Sequence, residues 1–386
     1  MERPEPAHAD VVVIGGGIIG CAAAAIMADR GARVVLVEGS AIGAGASGRN
    51  LGAIQHPFDP VLAPLYHESL TRYRALAGAG HGPFSIDASP AGLLLLNRDP
   101  DAAARQVSRL ADAVPELDPV LLDPDGLARI EPSLVAGLSA VRLETGYPVP
   151  PAAATEAWAA LAEERGARLL VGARGRPVAD GGRVSGVALT DGTTIAAEAV
   201  LVAAGPWSPR LIDSTGRWRP IVPTFGVTLQ LRIDGAAPSH IVEEDEVDAV
   251  NRAAAATERA AAVEDETEPP SLFSLATAGG ISTLGSTFLT AEPDESVIQR
   301  LLLRRAREFL PAIEGAEVVG RRVCARPQSI DGRPFIGAAG EIAGLYVCAG
   351  HGPWGISTGP ASAAIAARAV LDGTLPPPEL AATRVS

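Results

Sequence analysis

Short apolar runs closed off by glycine alternate with alanine-rich stretches along this chain, and the length of each run separates strand from helix. Residues 10–14, Asp-Val-Val-Val-Ile, are mostly β-branched, which predicts a strand buried on both faces. Gly15 to Gly20 break that run. The alanine-rich stretch from Cys21 to Asp29 then predicts a helix whose small side chains pack closely on a sheet, and Gly31 ends it. Arg33 to Val37 predict a second strand that closes with Glu38, completing one βαβ unit of about 30 residues.

The same alternation resumes near Pro151, where a helix leads to Gly166 and a strand from Ala167 to Val171. Hairpins follow at Asp180-Gly181-Gly182 and at Asp191-Gly192, and Glu198 to Ala204 predicts another buried strand, cut off by Gly205-Pro206. Between Pro220 and about Thr290, strand-like segments at Val227–Ile233 and Ile281–Leu284 flank an acid- and alanine-rich stretch, Glu243 to Glu268, expected as a solvated helix or mobile loop. Residues Ile86 to Asn97 are expected to add strands to that same sheet. The chain closes with a strand over Gly344–Ala349 and an amphipathic helix over Ile356–Leu371.

Composition narrows the chemistry. A length of 386 residues with 47% hydrophobic content allows two or three domains with large cores. The formal charge of −13 argues against nucleic-acid phosphates or anionic lipid as partners. No apolar run approaches the roughly 20 residues of a membrane span, and the first ten residues lack a secretory signal, so a cytoplasmic location is expected. Every basic residue is arginine, which excludes any mechanism needing a lysine Schiff base or a P-loop lysine. Cys21, Cys324 and Cys348 match no zinc spacing, and no metal site is expected.

One motif carries more. Gly15-Gly16-Gly17-Ile18-Ile19-Gly20 satisfies G-x-G-x-x-G and lies between a predicted strand and a predicted helix. Gly15 permits the tight turn, Gly17 lets a pyrophosphate approach the backbone, and Gly20 lets helix and strand pack closely. Glu38, at the end of the second strand, can accept hydrogen bonds from both ribose hydroxyls, and an acid there disfavours a 2′-phosphate. The fingerprint leaves NAD and FAD both open.

Three further segments separate them by resemblance. Gly43-Ala44-Gly45-Ala46-Ser47-Gly48-Arg49-Asn50-Leu51-Gly52, then Ala199 to Ser208 with Ala204, Gly205 and Trp207, and finally Arg326 to Gly337 followed by Gly350 to Ser357 occur in order across nearly the whole chain. In this order and spacing they resemble the FAD-dependent amino-acid oxidase family, which includes D-amino-acid oxidases, glycine oxidase, sarcosine oxidases and related dehydrogenases. The resemblance implies an α/β protein: a Rossmann-like FAD-binding domain of the glutathione-reductase type, with an inserted mixed α+β substrate domain built on an antiparallel sheet. The FAD domain would comprise residues 1–85, 145–222 and 320–386, and the substrate domain residues 86–144 and 223–319.

Cofactor contacts implied by the resemblance fall at Gly15, Gly17, Ile18, Ile19, Gly20, Glu38 and Gly39; at Ala46, Ser47, Arg49, Asn50, Leu51 and Gly52; and at Ala204, Gly205 and Trp207. The last turn adds Gly350, His351, Gly352, Gly355, Ile356 and Ser357, where free backbone N–H groups and a helix dipole would face the flavin's pyrimidine edge. His351 is expected to contact the cofactor through its backbone, with no proton chemistry. Cys324 stands seven residues before Asp331, like the cysteine that carries covalent flavin in monomeric sarcosine oxidase; a free buried cysteine is the commoner case, so non-covalent FAD is expected.

The activity implied is oxidation of the C–N bond of a small amino acid or N-alkyl amino acid, with hydride passing to flavin N5. D-amino acids, sarcosine or glycine, and D-proline-like substrates all fit. Arg326 matches the arginine that holds the substrate carboxylate in glycine and D-amino-acid oxidases, and its planar fork suits that task; alternatively it pairs with an acid to fix the Asp331 turn. His56 falls near the place of a carboxylate-contacting arginine in sarcosine oxidases, as catalytic or substrate-binding group or as a structural hydrogen-bonder. Gln55 beside it and Trp354 are further substrate-pocket candidates. Pro353 stands where glycine oxidase has a second substrate arginine, so that contact is absent. The electron acceptor is oxygen or another protein or quinone, with the missing lysine favouring a dehydrogenase. Two other readings stay open, a flavin-dependent 2-hydroxy-acid dehydrogenase and a flavin-carrying subunit of a larger amino-acid dehydrogenase.

Overall fold

The computed structural model describes residues 8–80, 82–235, 237–245 and 271–385. Its first sheet runs β17 (Phe335–Ala338), β18 (Leu345–Ala349), β11 (Thr194–Val202), β1 (Ala9–Ile14), β2 (Val34–Glu38) and β8 (Arg168–Val171). From β11 an antiparallel meander of β10 (Arg183–Leu189) and β9 (Gly175–Asp180) extends, turning at the two expected hairpins. The central strand explains the sequence pattern. Val11 and Val13 of β1 enter the core on one face, while Val12 and Ile14 enter the core on the other. Because both faces are covered, polar alternation is absent and a β-branched run results.

β1 pairs in parallel with β2 on one side and with β11 on the other. The chain thus leaves β1 in both directions, and a crevice opens beyond the carboxyl ends of these strands. The first helix, Ile18–Asp29, is buried along most of its length and packs against the helices Pro151–Glu164 and Gly355–Asp372. Its alanines allow those approaches.

Expected as amphipathic, Gly355–Asp372 is instead buried from Ile356 through Ala367. Helices Ile18–Asp29 and Ala63–Gly78 and strands β17 and β18 all pack on it, so no face is left for solvent. Pro360 lies inside this helix and cannot donate to the carbonyl of Ile356. The Tyr73 hydroxyl supplies that bond instead, at 2.7 Å.

The second sheet runs β16 (Glu317–Ser329), β12 (Ile221–Arg232), β15 (Ile281–Thr287), β14 (Ser271–Ala278), β13 (Ile241–Glu244), β4 (Leu93–Asn97), β6 (Ser139–Leu143) and β5 (Val120–Leu122). It is antiparallel apart from the parallel pair β13–β4. Ile298, Leu302 and Ala306 of helix Glu295–Arg307 close the core on one face.

Two expectations change here. Strands β12 and β16 pair from Ile221↔Ser329 to Arg232↔Glu317, with a register shift between Gln230 and Leu231, so the boundaries set at residues 222 and 320 fall inside one ladder of the second sheet. The acid-rich stretch also begins as β13, where Glu243 and Glu244 are buried rather than solvated. Burial is tolerated because Glu244 pairs with Arg305 and accepts the Phe273 N–H, and Glu243 accepts from Gln55. From residue 246 to 268 the stretch lies outside the described residues. β3 (Ala53–Ile54) and β7 (Tyr147–Pro148) form a small separate pair beside the crevice. Among the described residues no helix is long and apolar enough to cross a membrane.

Candidate functional site

A cleft of about 680 Å³ occupies the crevice beyond β1, β2 and β11. Gly15 opens it with φ of +117°, and a Cβ there would overlap the Ala203 carbonyl. Only glycine tolerates both conditions. A Cβ on Gly20 would overlap the Gly15 carbonyl, so the helix Ile18–Asp29 starts close beneath the turn. That helix carries no capping side chain of its own; Ser47 Oγ accepts its Ile18 N–H at 3.0 Å. Its N-terminus therefore presents backbone donors and a positive dipole end toward the cleft, as a pyrophosphate needs.

Glu38 is fixed by two backbone donors, Gly16 N–H to Oε2 and Ser40 N–H to Oε1, each at 2.7 Å. A carboxylate has about four acceptor positions. Capacity remains for two ribose hydroxyls. The short helix Ala46–Arg49 forms the next wall, and Asn50 clamps it by donating to the Ala46 and Ser47 carbonyls and accepting from Gly52 N–H. Arg49 donates to the Val323 carbonyl at 2.9 Å, tying this wall to β16.

Gly15, Gly17, Ile18, Ile19, Glu38, Gly39, Ala46, Ser47, Arg49 and Asn50 all line the cleft, with Ala204, Gly205 and Trp207 from the turn after β11. His351, Gly352, Gly355 and Ile356 close its inner end. Five expected contacts do not line the cleft: Leu51 lines the smaller cavity described below, and Gly20, Gly52, Gly350 and Ser357 sit behind the walls, with Ser357 Oγ accepting the Gln55 N–H at 3.0 Å. The sequence reading missed Ala173, Arg174 and Gly175, which enter the cleft because β8 pairs in parallel with β2 and Ala173 N–H reaches the Glu38 carbonyl at 2.9 Å. The signal was available, since ligands sit beyond the carboxyl ends of such strands. Arg210 and Leu211 carried no comparable signal.

His351 is 1% exposed, and neither ring nitrogen has a protein partner. Burial pushes its pKa down to about 3, so the ring is neutral near pH 7. A polar atom orphaned at the inner wall, a helix N-terminus facing the cleft, a glycine turn without room for Cβ and a terminal acid together fit FAD. Cys324 also lines the cleft as a free, buried thiol.

A smaller cavity of about 90 Å³ adjoins the inner end and shares Asn50, Arg326, Pro353 and Ile356 with the cleft. Arg326 donates to the Thr287 carbonyl at 2.7 Å and to Ser286 Oγ, and its guanidinium lies 4.9 Å from the Phe288 ring centroid. Among the described residues it has no carboxylate partner. The Asp331 turn is held instead by Arg384, at 2.7 Å, so the alternative reading of Arg326 does not apply. Gly226 on β12 makes room for the guanidinium, which a Cβ there would overlap. Gln55, Leu51 and Trp354 line this cavity, as do Thr228, Glu243, Ser274, Ser286 and Phe288, which the sequence reading did not single out.

His56 lines neither cavity, which corrects its expected place at the substrate. Its ring is buried against Phe58, Tyr66 and His67. Burial lowers its pKa to about 4. His56, His67 and Glu116 offer ligand atoms within 4.8 Å of one another. However, Phe58 N–H donates to His56 Nδ1 at 3.2 Å, which leaves the neutral ring's proton on Nε2, the nitrogen 3.8 Å from Glu116. That tautomer faces the group as a donor and not as a metal ligand.

Comparisons with known proteins agree with this geometry. The family described as FAD dependent oxidoreductase matches residues 10–369. The chain is 31% identical to a D-amino acid dehydrogenase of Cereibacter sphaeroides over 330 residues, covering 82% of this chain and 67% of that one. It is 27% identical to a glycine oxidase of Pseudomonas putida over 382 residues, covering 91% and 92%. In three dimensions it is similar to the glycine oxidase from Geobacillus kaustophilus, with a TM-score of 0.82 and 25% identity over 98% of this chain and 100% of that one.

Proposed function

Since the chain belongs to the family of FAD-dependent oxidoreductases, we propose that it oxidises the C–N bond of a small amino acid or N-alkyl amino acid. The observation that carries this reading is Arg326, a partly buried cation on the wall shared by cleft and small cavity, with no carboxylate partner among the described residues. A guanidinium has five N–H donors. Two of the five are used by Thr287 and Ser286. The rest can take a substrate carboxylate in the forked geometry that arginine favours. Similarity to a D-amino acid dehydrogenase and to glycine oxidases supports an amino-acid substrate.

Bound FAD supplies a two-electron acceptor. The protein's own contribution is placement. Glu38 would hold the ribose, the Ile18–Asp29 N-terminus would face the pyrophosphate, and the turn 350–357 would aim backbone donors and a helix dipole where negative charge gathers on reduction. Arg326 would fix the substrate by its carboxylate at the inner end of the cleft. Leu51, Phe288 and Trp354 would exclude water from the reacting carbon.

The test is an anaerobic screen in which flavin bleaching is followed with amino acids and with 2-hydroxy acids. Bleaching by an amino acid with release of ammonia or an imine is expected. Bleaching by hydroxy acids alone would replace this reading with the hydroxy-acid one. Arg326→Met is expected to weaken substrate by about 2–5 kcal/mol, roughly 30- to 4,000-fold, while FAD content stays unchanged.

A further inference from the structure

Arg174 and Arg210 enter the outer end of the cleft from opposite sides. Arg174 follows β8, next to β2, and Arg210 lies on the short helix Ser208–Ile212 that follows β11, next to β1. Both are exposed, and among the described residues neither guanidinium has a hydrogen bond or an ion pair. Glu38, the one acid on the cleft lining, is already held by the Gly16 and Ser40 N–H groups. The placement of Arg174 is built into the backbone. A Cβ on Gly39 would lie 2.8 Å from its Cγ, so the glycine after Glu38 clears the path of the arginine's stem. Ala173 N–H donates to the Glu38 carbonyl and Thr190 N–H to the Arg174 carbonyl, each at 2.9 Å, which fixes the turn.

Val37, Ala173, Ala204 and Leu211 belong to one apolar cluster and line the cleft beside these two arginines. The aromatic side chains of the lining lie elsewhere. Trp207 leans toward Gly45, with a ring carbon 4.0 Å from where a Cβ would sit, and His351 closes the inner end. An apolar floor edged by two unpaired guanidiniums suits a planar heteroaromatic ring, because its faces are buried and a guanidinium plane stacks on them. With Glu38 at the ribose, the helix Ile18–Asp29 at the pyrophosphate and the flavin toward Arg326, adenine is the part of FAD left for this end.

We propose that Arg174 and Arg210 hold the adenine base of FAD by stacking on it, with Val37, Ala173, Ala204 and Leu211 as the floor. This rests on the reading that Glu38 holds the ribose, and it is independent of the role of Arg326. A purine offers the guanidiniums a larger face than a pyrimidine, so the site selects the base and does not merely attract phosphate.

The experiment uses the FAD-free protein and titration calorimetry with FAD, ADP and UDP. ADP and UDP share ribose and diphosphate, so the ratio of their affinities reads the base. The wild type is expected to bind ADP at least about fivefold more tightly than UDP. Arg174→Met and Arg210→Met keep much of the stem and remove the plane. Each is expected to weaken ADP and FAD about two- to thirtyfold, and together they should bring the ratio of ADP to UDP affinity to about twofold or less. The visible spectrum of bound FAD should not change. Equal losses of ADP and UDP would make the arginines phosphate contacts and overturn the stacking, with the ribose reading intact. Unchanged FAD and ADP affinities in both variants, or a wild-type ratio near one, would overturn it as well. If FAD binds the wild type and ADP does not, the ribose reading falls together with this inference.

Discussion

Gly226 and Arg326 sit on neighbouring strands, and the guanidinium of one fills the space that a side chain on the other would take. Gly226→Ala is expected to push the guanidinium aside without unfolding β12. Acetate affinity should fall about tenfold with FAD binding unchanged; unchanged acetate affinity would show that the displaced fork is not the carboxylate contact. The arginine itself was legible from its residue type and its place in the resemblance. The place of Glu243 on the same cavity was not, because Glu243 opens a run of acidic residues that reads as solvated. His56 was misplaced for a different reason. In extended chain neighbouring side chains point to opposite faces, so when Gln55 faces the cavity His56 faces away, and sequence adjacency to the flavin loop could not say which. The misplaced histidine has a measurable consequence. Its pKa of about 4 lies below the unfolded value near 6.5, so between these pH values the unfolded chain binds the extra proton and stability falls as pH falls. His56→Gln should flatten this part of the stability curve by about 2 kcal/mol, read from urea melts at pH 6.5 and pH 4.5.

At the scale of elements, the helix Gly355–Asp372 shows where periodicity misleads. Its existence was legible and its ends fell within a residue of Ile356 and Leu371, but its burial on all sides was not. Alanine is compatible with either environment, and only the neighbours Ile18–Asp29 and Ala63–Gly78 decide it. Those neighbours also repair the helix at Pro360. Tyr73 donates to the Ile356 carbonyl, and Ser69 Oγ accepts the Ala361 N–H at 3.1 Å, so helix Ala63–Gly78 holds the first turn of the helix that closes the inner cleft. Tyr73→Phe keeps the ring in its place and orphans a buried carbonyl. A loss of about 1–3 kcal/mol in unfolding free energy is expected. Ile356 lines both cavities, so FAD affinity should weaken as well. A variant as stable as the wild type would mean that water or another group serves the carbonyl equally well.

For the whole molecule, the nucleotide half was legible because β1, the glycine turn and β2 follow one another in sequence. The inner half was less so, because its walls come from segments far apart in sequence, and the β12–β16 ladder carries Cys324 and Arg326 from the second sheet to the cleft at the carboxyl ends of the first. A ligand filling that cleft therefore touches both sheets. FAD should tie them together, and removing it should loosen more than the nucleotide site. At a free FAD concentration one hundred times its dissociation constant, mass action adds about 2.7 kcal/mol to the stability of the folded state. Apo-protein prepared by acid and salt is expected to melt several degrees lower, to regain its midpoint on addition of FAD, and to release all of its yellow colour into the acid supernatant. Colour retained in the precipitate would mark Cys324, the free thiol in the cleft, as a covalent attachment point. Cys324→Ser would then release it. A midpoint indifferent to FAD would mean that the two sheets hold together without the cofactor, and that the cleft contributes binding alone.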